Sequence, residues 1–157
     1  MLSKLKLLVL CIVIPLATGS ISGFITSEST EIYEKLVKPP FAPPGYVFPI
    51  VWTILYILMG IASYLVLTSG KDEVDVMDAF IDYIIQLGVN FFWSIFFFSL
   101  GWYLFSFIWL IFLWILIAIT IYSFSRVSKP AALLMIPYLI WVTYAGYLNL
   151  FLYLLNR

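Results

Sequence analysis

"YLFSFIWLIFLWILIAITIYSF", residues 103–124, runs for 22 positions without an Asp, Glu, Lys or Arg. Coiled as an α-helix at 1.5 Å per residue, such a run crosses the roughly 30 Å hydrocarbon core of a bilayer. A lone strand could not sit there, because in lipid every backbone N–H and C=O must be satisfied within the spanning structure. Toward the amino end, little more than Gly101 separates this run from another at about 79–100, so the two are predicted to be antiparallel neighbours. Toward the carboxyl end, "SRVSKP" (125–130), with Arg126 and Lys129, leads to a run at about 131–155. Further runs at about 5–25 and 48–68 bring the number to five. The predicted fold class is all-α: a five-transmembrane-helix bundle, with residues 1–157 forming a single integral membrane domain.

Composition points the same way. The chain is 64% hydrophobic and 10% charged, whereas soluble domains carry about 25% charged residues. A soluble fold of this size leaves too much surface wet to hide that apolar area. The first run has Lys4 and Lys6 before it and the small residues Ala17, Thr18 and Gly19 within it, as a signal peptide would. Its apolar character continues to Ile25, which favours an uncleaved span.

Several function classes drop out. Lys plus Arg and Asp plus Glu number eight each, so net charge gives no reason to expect nucleic acid. The chain has no histidine, which excludes a histidine base, a histidine zinc site and a proximal-histidine haem. A single cysteine, Cys11, excludes an intramolecular disulfide and argues against a cysteine metal cluster. Seven of the eight carboxylates lie outside the apolar runs and Asp82 lies near the edge of one, an arrangement unlike that of an ion-coupled transporter. No metal site and no required cofactor are expected. Lys4, Lys6, Lys71, Arg126 and Lys129 fall on one side of the membrane, against Lys35, Lys38 and Arg157 on the other. Cytoplasmic loops are enriched in Lys and Arg, so the amino end is expected inside and the carboxyl end outside.

Polar and aromatic residues share helix faces. On the third run Asp82, Gln86, Asn90, Trp93 and Phe97 fall within a stripe about 100° wide. Asn90, near mid-span, would leave up to four hydrogen-bonding groups unmet if it faced lipid, so it is expected to face inward, as interhelical glue or as a ligand contact. The second run aligns Phe48, Trp52, Tyr56, Met59 and Ser63; the fifth aligns Pro137, Tyr138, Trp141, Ala145, Leu148 and Leu152. Each tryptophan taken singly is ordinary for a membrane-interface belt. Together, three aromatic faces with a few polar atoms suit a cavity for a flat, mostly apolar ligand. Ala145 and Gly146 would make room for it, or would permit close helix packing.

The connector at 26–47 is first acidic (Glu28, Glu31, Glu34), then proline-rich: "KPPFAPPGYVFPIVW", residues 38–52, holds five of the eight prolines. Proline fixes φ and removes a donor, so "KPPFAPP" is predicted to be a stiff extended strap. Such a strap is either a linker or a preshaped cover holding Tyr33 and Phe41 against a ligand.

The stretch "YEKLVKPPFAPPGYVFPIVWTILYILMGIASYLV" (33–66), followed in order by "QLGVNFFWSIFFF" (86–98) and "RVSKPAALLMIPYLIWVTYAGYLN" (126–149), resembles the translocator protein family. Its bacterial members are called tryptophan-rich sensory proteins and its animal members peripheral benzodiazepine receptors. The resemblance covers nearly the whole chain. It implies a five-helix bundle, often a homodimer, that binds porphyrins inside the bundle under the first connector, in the plasma membrane of a bacterium. By motif, Trp52, Asn90, Trp93, Trp141, Ala145 and Asn149 match ligand-facing positions, and Tyr33 and Pro44 match the lid. Trp52 and Asn90 would offer N–H groups to a ligand carbonyl or carboxylate, Trp141 would stack, and Tyr33 would close the site.

Two departures stand out: Ile32 and Phe41 occupy positions where the family lid usually carries tryptophan. Leu150, Tyr153 and Arg157 fit the loose sterol-binding pattern of animal members, but Tyr and Arg at a membrane edge are ordinary anchors, so sterol binding is doubtful. The expected ligand is a porphyrin or another planar apolar molecule, the solvent is membrane lipid, and no nucleic acid partner is expected. Three alternatives remain open. Light-dependent porphyrin degradation would make Trp52 and Trp141 reactants. A carrier would use the strap as a gate. A bundle that only regulates a partner protein would bind no porphyrin.

Overall fold

The computed structural model describes residues 3–27 and 30–157; Glu28 of the acidic connector lies outside them. The elements are α1 (Lys4–Thr26), α2 (Thr30–Lys35), α3 (Val47–Leu67), α4 (Glu73–Ser94), α5 (Tyr103–Val127) and α6 (Lys129–Asn156), and a π-helical turn, Ile95–Ser99, extends α4. No strand occurs among the described residues. Five helices are long and apolar enough to cross a membrane: α1, α3, α4 with its π turn, α5 and α6. The chain is therefore an integral membrane five-helix bundle. The short α2 is an addition, folded from the acidic part of a connector that the proline pattern marks only as non-helical further on.

Element ends follow local chemistry. Ser128, in an extended conformation, ends α5 and caps α6, its hydroxyl accepting from Ala131 N at 3.4 Å. One residue thus turns the chain between antiparallel helices. The α4 helix begins at Glu73, six residues before the expected apolar start at 79. Glu73 and Asp75 sit in its first turn, where carboxylates oppose the positive end of the helix dipole. At the other end the π turn, with Gly101 at φ +64°, makes the near-absent link to α5 feasible. Trp102 N donates to Phe96 O at 3.0 Å, and their rings stack 6.0 Å apart.

The α1 helix packs on α3, α5 packs on both α4 and α6, and α3 packs on α6. Gly60 of α3 lies directly against α1: a Cβ there would come within 2.5 Å of Ile12 Cα and 2.8 Å of Cys11 O. Met59, Ala62, Leu113, Ile117, Met135 and Leu152 are fully buried among the helices. Ile108, Ile115, Leu133 and Ile140 are exposed on the flanks, as expected where lipid is the solvent.

The strap lies across the α6 end of the bundle. Prolines lack N–H groups, so much of its bonding falls to carbonyls. Tyr147 Oη donates to Pro40 O at 2.9 Å and Tyr144 Oη donates to Phe41 O. Asn156 accepts from Val37 N at 2.9 Å and donates to Val37 O at 2.8 Å. Tyr33 is 1% exposed, packs edge-on against Phe48 at 5.1 Å and donates to Pro43 O at 2.8 Å. Burial, with Tyr144 and Glu34 nearby, raises its phenol pKa well above the ordinary value, so it stays a donor. The expectation that Phe41 presses on a ligand is corrected. Its φ of +67° turns the side chain outward, leaving it 91% exposed, and only its carbonyl is held.

Candidate functional site

Along α3, Phe48, Trp52 and Tyr56 recur every fourth residue and therefore share a face. That face forms one wall of a cavity of about 590 Å³ between α1 and α3, with the strap at its upper rim. Tyr46 and Phe98 extend the aromatic wall. The opposite wall is different in kind: α1 contributes Gly19, Ser20, Ser22, Gly23, Thr26 and Ser27, and Thr53 and Ser94 add further hydroxyls. Glu34 and Gly45 line the rim, where Gly45 N donates to Glu34 Oε1 at 2.6 Å. No Lys or Arg lines the cavity among the described residues. Ser20 and Gly23 on α1, and Pro49 and Thr53 on α3, are exposed lining residues, so the cavity opens on the flank of the bundle.

Trp52 stacks on Tyr56 at 5.5 Å and lies 6.2 Å from Trp93 and 6.1 Å from Tyr138. Behind this pair, Asn90 is fully buried and its Nδ2 donates to Tyr56 Oη at 3.3 Å, while its Oδ1 has no partner among the described residues. Trp93 Nε1 donates to Asn149 Oδ1 at 3.1 Å, and Asn149 Nδ2 donates to Tyr103 O at 2.7 Å. Tyr138 Oη donates to Gln86 Oε1 at 2.7 Å. Half-buried Trp141 lies 6.0 Å from Phe48 and 5.3 Å from Tyr144, with its buried Nε1 unpaired among the described residues. Ala145 is buried one turn further along α6.

Of the residues singled out from sequence, Trp52 stands on the cavity wall. Asn90 reaches that wall through Tyr56, and Trp93 through Trp52. Trp141 touches the wall residue Phe48 from behind, and Tyr33 covers the same ring from above. Ala145 and Asn149 belong to the packed interior, and Pro44 is exposed in the strap. Asp82, at the far end of the polar stripe, accepts from Ser123 Oγ at 2.6 Å, away from the cavity.

Sequence reasoning missed the hydroxyl wall. In the sequence Gly19 suggests only a signal-peptide pattern, and Ser22, Gly23 and Ser27 carry no mark of a site. The available signal was the recurrence of small and hydroxylated residues at 19, 20, 23 and 27, which is one helix face.

The comparisons with known proteins cover the same ground. The profile of the TspO/MBR family matches residues 11–154. The chain is 43% identical over 150 residues to the tryptophan-rich protein TspO of Chlorobaculum tepidum, covering 95% of each chain. It is 39% identical over 150 residues to the protein of the same name from Archaeoglobus fulgidus, covering 95% of this chain and 96% of that one. Against the translocator protein of Bos taurus it is 32% identical over 142 residues, covering 83% of this chain and 80% of that one. By a match that spans all five membrane helices, this chain belongs to the TspO/MBR family.

Proposed function

We propose that this protein binds a planar, largely apolar ligand of the tetrapyrrole type inside its helix bundle. The observation that carries this reading is the cavity of about 590 Å³ with Trp52 and Tyr56 as its wall. Ligand sites run from about 300 to 1,000 Å³ and combine aromatic lining with a few placed polar atoms. Two such atoms stand close behind the wall: Asn90 Oδ1, an acceptor, and Trp141 Nε1, a donor, both buried and without a partner among the described residues. A buried polar atom without a partner costs about 1–3 kcal/mol. A bound ligand that reached these atoms would offset that cost. We also propose that the protein sits in the cell membrane of a bacterium, as the family resemblance suggests, with its amino end inside and its carboxyl end outside, as the Lys and Arg distribution suggests.

Tryptophan fluorescence of the purified protein, titrated with protoporphyrin IX, haem and cholesterol, tests this. Saturable quenching by porphyrin, weakened in Trp52→Phe and Asn90→Ala, is the expected result. Linear, unsaturable quenching by every compound would overturn it.

One observation favours a second reading, light-dependent breakdown of the bound porphyrin by dissolved oxygen, the oxidant that accepts the electrons and opens the ring. Trp52 lies on the cavity wall with Trp93 6.2 Å behind it, so an excited ligand on that wall has two neighbouring indoles beside it as electron donors. Illumination of the complex would then bleach the porphyrin band in the wild type and spare it in Trp52→Phe.

A further inference from the structure

The hydroxyl wall of the cavity is not uniform. Thr26 Oγ1 donates to Ser22 O at 2.9 Å, Ser27 Oγ to Phe24 O at 2.9 Å, and Thr53 Oγ1 to Pro49 O at 2.6 Å. These three spend their protons on their own helices, the usual habit of helical Ser and Thr. Ser22 does not. It lines the cavity, it is 3% exposed, and its Oγ has no partner among the described residues. A serine hydroxyl hydrogen rotates to suit its surroundings, so it can turn toward a neighbour that offers an acceptor.

The charges around the cavity restrict what that acceptor can be. Among the described residues no cationic side chain lines it. The one lining carboxylate among the described residues, Glu34, is already engaged, with Oε1 accepting from Gly45 N and Oε2 3.7 Å from Lys38 Nζ. A ligand carboxylate drawn inside would lose its water, meet no cation and face Glu34. Desolvating an unpaired charge is far costlier than desolvating a neutral polar group. A neutral carbonyl needs only one donor.

From these observations, and resting on the tetrapyrrole reading above, we infer that Ser22 Oγ donates to a neutral acceptor oxygen of the ligand. The cavity thereby selects uncharged, carbonyl-bearing planar ligands over free diacids. The aromatic wall takes the ring face, and Ser22, on the opposite helix, takes the polar edge.

Three probes separate the terms: protoporphyrin IX dimethyl ester, free protoporphyrin IX, and octaethylporphyrin, which has no carbonyl. Each is titrated into the full-length protein in detergent at neutral pH. The wild type should bind the ester about tenfold more tightly than the diacid, and Glu34→Gln should narrow that gap. Ser22→Ala should weaken the ester about five- to tenfold and leave octaethylporphyrin within about twofold. Alanine is the better helix former, so the variant keeps its fold. An ester affinity unchanged in Ser22→Ala, or an equal loss for ester and octaethylporphyrin, would overturn the role of Ser22 while leaving tetrapyrrole binding intact. A wild type that saturates with none of the three would overturn both.

Discussion

Gly19 of α1 lies flat against the ring of Tyr56 on α3: a Cβ built on Gly19 would stand 2.2 Å from Tyr56 Cε2 and 2.6 Å from Cδ2. The missing side chain lets Tyr56 stack on Trp52 and accept from Asn90. Gly19→Ala gains about 1 kcal/mol of helix propensity. It must also push a buried aromatic ring aside, at a cost of about 1–3 kcal/mol. The expected net result is a small loss of thermal stability and a clear loss of ligand affinity, since the displaced ring is part of the cavity wall. Melting temperature and porphyrin titration of the same preparation check both.

Gly60 makes the tighter contact, because the atoms it meets are Ile12 Cα and Cys11 O, which belong to the backbone of α1. A flexible side chain can yield, but a helix backbone can yield only by moving the whole helix. Gly60→Ala is therefore expected to force α1 away from α3 and to destabilise the bundle by at least about 2 kcal/mol. A melting temperature in detergent equal to that of the wild type would contradict this.

Gly23 is the opposite case, with no atom of the described residues within 4 Å of an added Cβ and a position on the cavity wall. Gly23→Phe is expected to fold as the wild type does and to fill part of the cavity. It should lower porphyrin affinity at least tenfold, equivalent to about 1.4 kcal/mol. Near-wild-type affinity in a well-folded Gly23→Phe protein would place the ligand elsewhere.

The three glycines show what was legible in the sequence. Run length and the absence of charge located five spans to within a few residues, because lipid imposes one rule on every position of a spanning helix. The exception was the start of α4, where Glu73 and Asp75 read as connector although the helix dipole accommodates them. Helix faces were legible too: the 3.6-residue period set Phe48, Trp52 and Tyr56 side by side. Which helix would stand opposite that face was not legible, since packing order depends on shape at the contact and not on periodicity. Gly19 and Ser22 therefore read as bland residues until α1 was placed against α3. The outward turn of Phe41 was equally hidden, because a positive φ is uncommon for an aromatic residue.

The strap is held to α6 chiefly by side chains of α6. Asn156 alone satisfies both the N–H and the C=O of Val37. Hydrogen bonds of this kind contribute about 0.5–1.5 kcal/mol each. Asn156→Ala should leave the global melting temperature nearly unchanged, because strap opening is local. It should speed amide hydrogen exchange at Val37 about tenfold or more. Unchanged exchange there would mean that the tyrosine contacts to Pro40 and Phe41 suffice.

The interior polar atoms give the sharpest separation of fold from function. Asn90 donates to Tyr56 Oη but leaves its own Oδ1 unpaired in a fully buried setting. Removing one member of such a pair strands the other, whereas removing both together is close to neutral. Asn90→Leu alone should therefore destabilise the bundle by about 1–2 kcal/mol through the stranded Tyr56 hydroxyl. Asn90→Leu combined with Tyr56→Phe should recover the loss or exceed wild-type stability, because three awkward polar groups leave the apolar interior at once. If Asn90 were only glue between helices, ligand affinity would recover with the fold. If its unpaired oxygen is kept for a ligand, the double variant should be the more stable protein and the poorer binder, a trade common where a site is maintained at the expense of packing. Thermal melts and porphyrin titrations on the wild type, both single variants and the double variant complete the cycle. Restored binding in a stable double variant would remove Asn90 from the site.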